Sequence, residues 1–272
     1  MKQRIVTGTV LIVLLGLITY FGEDKLTFLF SGLCVLLATG ASYEFTKMSR
    51  KGSPFRWFDF VGIVLTFALL LMSVLTFQLA VGFYIYFFLY FITVILIYSL
   101  LFVIVKDFTK SDFGNQILTI LYSSLGFVAF AYLRSRTSIG LELIIYLFLV
   151  TMITDTFAYF IGIRFGKHRL AEHISPKKSI EGAIGGLVFG ALAATFFAYY
   201  TNVFEFGFVW IVLLSSFLSA IAQVGDLIAS KFKREADIKD YSNIFPGHGG
   251  ILDRFDSSMF AAIFLMIVFI FL

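Results

Sequence analysis

The sequence predicts an all-α integral membrane protein, a polytopic bundle of about nine transmembrane helices with a cytoplasmic N-terminus. Three observations predict it. Of 272 residues, 60% are hydrophobic and only 14% charged, against about 25% charged in a soluble domain. The mean hydropathy is +0.95, so the few charges cannot coat a soluble core, and intrinsic disorder, which needs low hydrophobicity, is excluded. The apolar residues also fall in continuous runs, and a helix needs about 20 of them to cross a hydrocarbon core. These runs do not alternate over about ten residues, which speaks against a β-barrel. A content of 36 Phe and 3 Pro suits long helices packed in lipid.

The runs lie at 5–21, 26–43, 60–77, 83–105, 115–133, 141–163, 183–201, 207–229 and 255–272. The first follows Lys2 and Arg4 and leads into Gly22-Glu23-Asp24 with no small-x-small cleavage pattern. It therefore reads as a retained helix rather than a signal peptide. The third and fourth are separated only by a short turn near Gln78. With the N-terminus inside, 18 of the 21 Lys and Arg residues fall on the cytoplasmic side, leaving Lys25, Arg134 and Arg136. That asymmetry follows the positive-inside rule, and the last two are expected to snorkel from a membrane edge. The net charge of +4 is then a topology signal, and no nucleic-acid partner is expected. Cys34 is the single cysteine, which excludes an intrachain disulfide and CxxC metal or redox sites. Residues 1–140 read as scaffold helices. Residues 141–272 read as a catalytic region with two cytoplasmic polar loops, 164–182 and 230–254.

The chemistry concentrates in that second region. Asp155 and Asp226 lie inside apolar runs, where a carboxylate costs ~2.5–3.5 kcal/mol at the bilayer centre. Each is a candidate metal ligand or proton carrier facing a polar cavity, set against the blander reading of a snorkelling or capping acid. Asp226 and Ser230 are four apart and share a helix face, with Lys233 and Arg234 about one turn on. The following loop ends in Pro246-Gly247-His248-Gly249-Gly250-Ile251-Leu252-Asp253-Arg254-Phe255-Asp256. Glycines let backbone N–H groups approach phosphate oxygens closely, and a helix N-terminus beyond would add its positive end. A plain Gly-rich turn with an acidic N-cap is the alternative. Asp253 and Asp256, three apart, are positioned to share a face.

In the other loop, Lys177 and Lys178 suit phosphates as compact charges, while Ser175 and Pro176 suit a helix start with Glu181 in its first turns. Gly182, Gly186, Gly190, Ala194 and Ala198 form a small-residue stripe that reads as close helix packing. His168 and His173 read as solvated. Acids suit Mg²⁺, which takes oxygen ligands and substrate phosphates. The bases suit a polyphosphate entering from the cytoplasm, and the membrane supplies a lipid. Phosphoryl or nucleotidyl transfer to a lipid is the reaction class expected.

The run Ser230-Lys231-Phe232-Lys233-Arg234, Lys239-Asp240, Ser242, Phe245-Pro246-Gly247-His248-Gly249-Gly250 and Asp253-Arg254-Phe255-Asp256 resembles the signature of the phosphatidate cytidylyltransferases, or CDP-diglyceride synthases. Upstream, Asp155-Thr156-Phe157-Ala158-Tyr159-Phe160-Ile161-Gly162, Phe165-Gly166-Lys167 and Ile174 to Gly182 resemble the same family, with Ser179 where threonine is common. The resemblance is residue by residue over 155–256 and only hydropathic before that. It implies the reaction of CTP with phosphatidate to give CDP-diacylglycerol and pyrophosphate, assisted by Mg²⁺ with a second cation left open, in a bacterial inner membrane.

It further implies that Asp226 and Asp253 hold metal, with Asp256 as a third acid. Lys233, Arg234, Lys239 and Arg254 would bind phosphates. Gly247, His248, Gly249 and Gly250 would shape a phosphate loop, with His248 as a general acid the minor alternative. Ser175, Lys177, Lys178, Ser230 and Asp155 would complete the substrate pocket, and Asp240 is either a ligand or a salt-bridge partner. A homodimer is left open. A lipid or polyprenol kinase and a cation-coupled transporter are the rival readings.

Overall fold

A computed structural model describes residues 16, 27–78, 82–136, 138–245 and 247–271. Eight helices among these residues are long and apolar enough to cross a membrane, as an all-α polytopic protein requires. They are α1 (Thr27–Ser49), α2 (Trp57–Gln78), α3 (Phe83–Ile104), α4 (Lys110–Arg134), α5 (Gly140–Phe165), α6 (Ile180–Thr201), α7 (Phe208–Glu235) and α8 (Leu252–Phe271). Each coincides with one of the expected runs. The expected run at 5–21 lies outside the described residues, Gly16 apart.

The helices outlast their apolar runs where polar ends are satisfied. Helix α1 continues past residue 43 through Glu44 and Lys47, the latter a cation in the last turn that favours the helix dipole. Helix α4 begins at Lys110, ahead of the run at 115, because Thr109 and Asp112 form a reciprocal capping box.

The chain divides into two compact units, one of residues 1–135 and 240–253, the other of 136–239 and 254–272. In the first, α4 packs against both α1 and α2, and α3 against α2 and α4. A polar knot not anticipated from the sequence ties α1, α2 and α4 together. The Arg50 guanidinium donates to both Asp59 oxygens at 2.6 and 2.8 Å and to Asp112 Oδ1 at 2.7 Å. Gln116 Nε2 donates to Asp59 Oδ1 at 2.6 Å. Burial alone would lower the Arg50 pKa, but Asp59 and Asp112 together outweigh it and leave it raised. Arg134, expected to snorkel, is instead 3% exposed.

In the second unit, α6 packs against α5 and α7, and α5 against α7. The small-residue stripe makes the first of these contacts possible. A Cβ on Gly182 would lie 2.6 Å from the carbonyl oxygen of Ala158, and one on Gly186 would lie 2.6 Å from that of Thr154. Only hydrogen at these positions lets the α5 backbone come so near. The packing role read from the spacing is therefore the one observed. Arg136 reaches the far end of α8, donating to the Phe269 carbonyl at 3.4 Å and lying over its ring.

Residues 164–182 correct one expectation. Ser175 and Pro176 do not start a helix. Ser175–Ser179 is a strand, β2, paired antiparallel with β1 (Arg169–Ala171). Proline lacks an N–H but fits an edge strand, and β2 has a strand on one side only. Helix α6 starts later, because the Ser179 hydroxyl accepts the Gly182 N–H at 3.1 Å as its N-cap.

Candidate active site

Helix α7 carries a polar stripe through the second unit. Ser215, Ser219, Gln223, Asp226, Ser230 and Lys233 recur at three- and four-residue spacing, so they share one face. Its upper rungs are paired. Ser215 Oγ meets Tyr146 Oη at 2.8 Å, Ser219 Oγ meets Thr154 Oγ1 at 2.7 Å, and Gln223 Nε2 donates to the Ala183 carbonyl at 3.2 Å. A buried hydroxyl left unpaired is costly, so these bonds fix the rotation of α7 against α5 and α6. That rotation points Asp226 toward the β-hairpin.

Asp226 forms an ion pair with Lys178 of β2 and accepts a long 3.4 Å bond from Ser230 Oγ. Its neighbour Gly225 admits α8, since a Cβ there would lie 2.8 Å from the Asp256 carbonyl oxygen and the Phe260 ring. Asp226 is consequently within electrostatic reach of Asp155 on α5 and of Asp256 on α8. Ser257 Oγ donates to Asp155 at 3.2 Å, and Lys233 Nζ stands 4.0 Å from Asp256. Three carboxylates and two ammonium groups from four elements, β2, α5, α7 and α8, thus converge in the second unit. Lys233 and Asp256 side chains are 12% and 15% exposed, too little for free hydration of either charge.

The remaining basic residues are more open. Lys177, Arg234, Lys239 and Arg254 are exposed, and Ser175 is half-buried in β2. Arg234 donates to the carbonyls of Ile174 and Ile238 at 3.3 and 3.1 Å. His168 is solvated, its side chain 75% exposed, and it also has a carboxylate neighbour. Its Nδ1 lies 2.6 Å from Glu181, which also accepts the Lys167 N–H.

The Gly-rich segment belongs to the first unit. Gly247 and Gly249 have φ of 78° and 84°, a region costly for other residues, and Phe245 N–H bonds the Gly249 carbonyl at 3.0 Å. The Gly250, Ile251 and Leu252 N–H groups at the start of α8 already have carboxylate partners. Asp253 Oδ2 accepts from Gly250 at 2.9 Å and from Tyr241 at 2.8 Å. Glu44 of α1 accepts from Ile251 and Leu252, both at 2.9 Å, and from Ser242 Oγ. His248 Nδ1 is buried with no hydrogen-bond partner among the described residues.

The sequence has counterparts among known proteins. The whole of residues 2–272 matches the model of the cytidylyltransferase family. The chain belongs to that family. A phosphatidate cytidylyltransferase of Bacillus subtilis (strain 168) is 34% identical over 266 residues, 97% of this chain and 96% of that protein. Phosphatidate cytidylyltransferases of Staphylococcus haemolyticus (strain JCSC1435) and Staphylococcus aureus (strain COL) are 42% and 43% identical over 60% of this chain and 61% of their own length.

For a cytidylyltransferase, the donor set can be tested against the divalent cation the sequence implies. The convergent acids offer only oxygen donors, as Mg²⁺ requires, and that ion is commonly held by one or two carboxylates with water and substrate phosphates. Among the described residues, no three His, Cys, Asp or Glu groups are close enough to hold an ion unaided. The residues present fit a cation held only in part by protein carboxylates. Sequence reasoning missed Ser215, Ser219 and Gln223, although their spacing with Asp226 was a legible signal. It also missed Glu44, which lies just past the apolar run at 26–43.

Proposed function

We propose that this cytidylyltransferase converts CTP and phosphatidate into CDP-diacylglycerol and pyrophosphate. The observation that carries the reading is the convergence of Asp155, Asp226 and Asp256 with Lys178 and Lys233 among membrane-spanning helices, in a chain of that family. A phosphate oxygen of phosphatidate attacks the α-phosphorus of CTP. The bond from that phosphorus to the bridging oxygen of the β-phosphate breaks, and pyrophosphate leaves. The attacking phosphate is already ionised near neutral pH, so no strong general base is needed. Catalysis rests on positioning and on neutralising the charge of two anionic reactants.

Asp226 and Asp256 are the residues that would hold Mg²⁺, which when bound supplies positive charge to the triphosphate. Lys178 and Lys233 hold those carboxylates in place and present ammonium groups to the phosphates. Exposed Lys177, Arg234, Lys239 and Arg254 supply a wider basic field that gathers anions. The positive-inside distribution supports a site that faces the cytoplasm, where CTP is found, while phosphatidate arrives through lipid.

The test is pyrophosphate release by the purified protein given phosphatidate, Mg²⁺ and each of the four common ribonucleoside triphosphates. Release with CTP, together with a CDP-linked lipid, is expected. Formation of a nucleoside diphosphate and a newly phosphorylated lipid would instead make the chain a lipid kinase.

A further inference from the structure

We infer that Glu44 is a positioning residue for the cytidylyltransferase reaction, acting by clasping the Gly-rich segment that leads into α8. This rests on the function proposed above. Glu44 is fully buried in α1, a membrane-spanning helix. A carboxylate there is expensive unless its lone pairs are filled. Three donors from one short segment fill them, namely the Ile251 and Leu252 N–H groups and the Ser242 hydroxyl. The first turn of a helix leaves N–H groups with no partner inside the helix. Here, a residue about 200 positions earlier in the chain supplies the acceptor that an ordinary N-cap would provide.

Two further observations show that the fit is made on both sides. Gly250 packs against the Glu44 carboxylate so closely that a Cβ would overlap it, although the Gly250 backbone is not in the left-handed region. On the other flank, Ile251 reaches back to Gly40, one turn before Glu44, with its Cδ1 2.4 Å from where a Cβ on Gly40 would lie. Asp253 completes the fold of the segment through Gly250 and Tyr241. Glu44 fills the first N–H groups of α8, the helix in which Asp253 and Asp256 follow within the first turns. Small displacements of reacting groups cost large factors in rate.

The experiment compares full-length wild type with Glu44→Gln, Gly250→Ala and the double variant Glu44→Ala/Gly250→Ala, in lipid nanodiscs. Pyrophosphate release is measured against CTP concentration, and hydrogen exchange is followed in peptides from 241–253 and 110–134. Glu44→Gln keeps one acceptor but turns an NH₂ toward a backbone N–H. It should lower kcat at least tenfold and raise exchange in 241–253, with exchange in 110–134 unchanged. Gly250→Ala should do the same. The double variant should be no worse than Gly250→Ala alone, because the side chain that the new methyl strikes is gone.

Wild-type kcat in Glu44→Gln overturns the inference. So does a loss accompanied by raised exchange in 110–134, which would mark a purely structural role, or losses that multiply in the double variant. If wild type itself releases no pyrophosphate from CTP, it is the proposed function that fails. The exchange pattern then still decides whether Glu44 holds the segment.

Discussion

Replacing Asp226 by Asn separates the stability and the chemistry of the site. The Lys178–Asp226 pair has side chains 31% and 25% exposed. It lies between surface pairs, worth about 0–1 kcal/mol, and buried pairs, whose breakage costs about 3–5 kcal/mol. A loss of about 2 kcal/mol follows for leaving Lys178 without its counter-charge. For a protein of this size, that lowers the thermal midpoint by about 4–8 °C, and most molecules stay folded at assay temperature. Turnover should fall much further. A fixed group that stabilises charge in the transition state contributes about 10²–10³ in rate. We expect Asp226→Asn to lose at least 100-fold in pyrophosphate release at saturating CTP. Lys178→Met alone should destabilise through an unpaired carboxylate. The double variant Asp226→Asn/Lys178→Met should regain most of the thermal midpoint but not the turnover. If turnover returns together with the midpoint, or if Asp226→Asn alone works within threefold of wild type, the pair is structural and Asp226 has no part in catalysis.

Three other outcomes follow from the same structure. Gly186→Ala should destabilise by about 1–3 kcal/mol through overpacking against the α5 backbone, whereas Ile184→Ala, at a position 60% exposed, should be near neutral. Thermal unfolding in detergent compares the two. Arg50→Met should cost about 3–5 kcal/mol, because it strands Asp59 and Asp112 in a buried site. Replacing Asp59 and Asp112 by Asn in the same chain should recover part of that loss in denaturant titration. Chelation of divalent cations should abolish pyrophosphate release, and added Mg²⁺ should restore it. Full activity in excess chelator would remove the cation from the mechanism.

Much of the candidate site was legible because the membrane makes charge expensive. Asp155 and Asp226 stood out inside apolar runs, and the spacing of Asp226, Ser230 and Lys233 put them on one face of α7 before any coordinates. The glycine stripe of α6 likewise announced its contact. Less could be read from residues whose meaning depends on a distant partner. Glu44, Asp59 and Asp112 lie outside the apolar runs, where the cost of charge in lipid does not single an acid out. The start of α6 was misplaced because Ser175 and Ser179 are equally good caps on local grounds, and the choice was made by the pairing of β1 with β2.

The amino-acid sequence by itself determined the class of the protein and the positions of eight of its helices, and it singled out Asp155, Asp226, Lys178 and Lys233 as candidate site residues. Hydrophobic run length and the cost of charge in lipid are local properties, read from neighbours a few residues apart. Only the tertiary structure decided what each polar group is for. It gave Lys178 to Asp226, Ser257 to Asp155, and the N–H groups at the head of α8 to Glu44 and Asp253. Such pairings join residues up to about 200 positions apart. They are set by helix packing, through the rule that a buried polar group must find a partner wherever the fold brings one within reach.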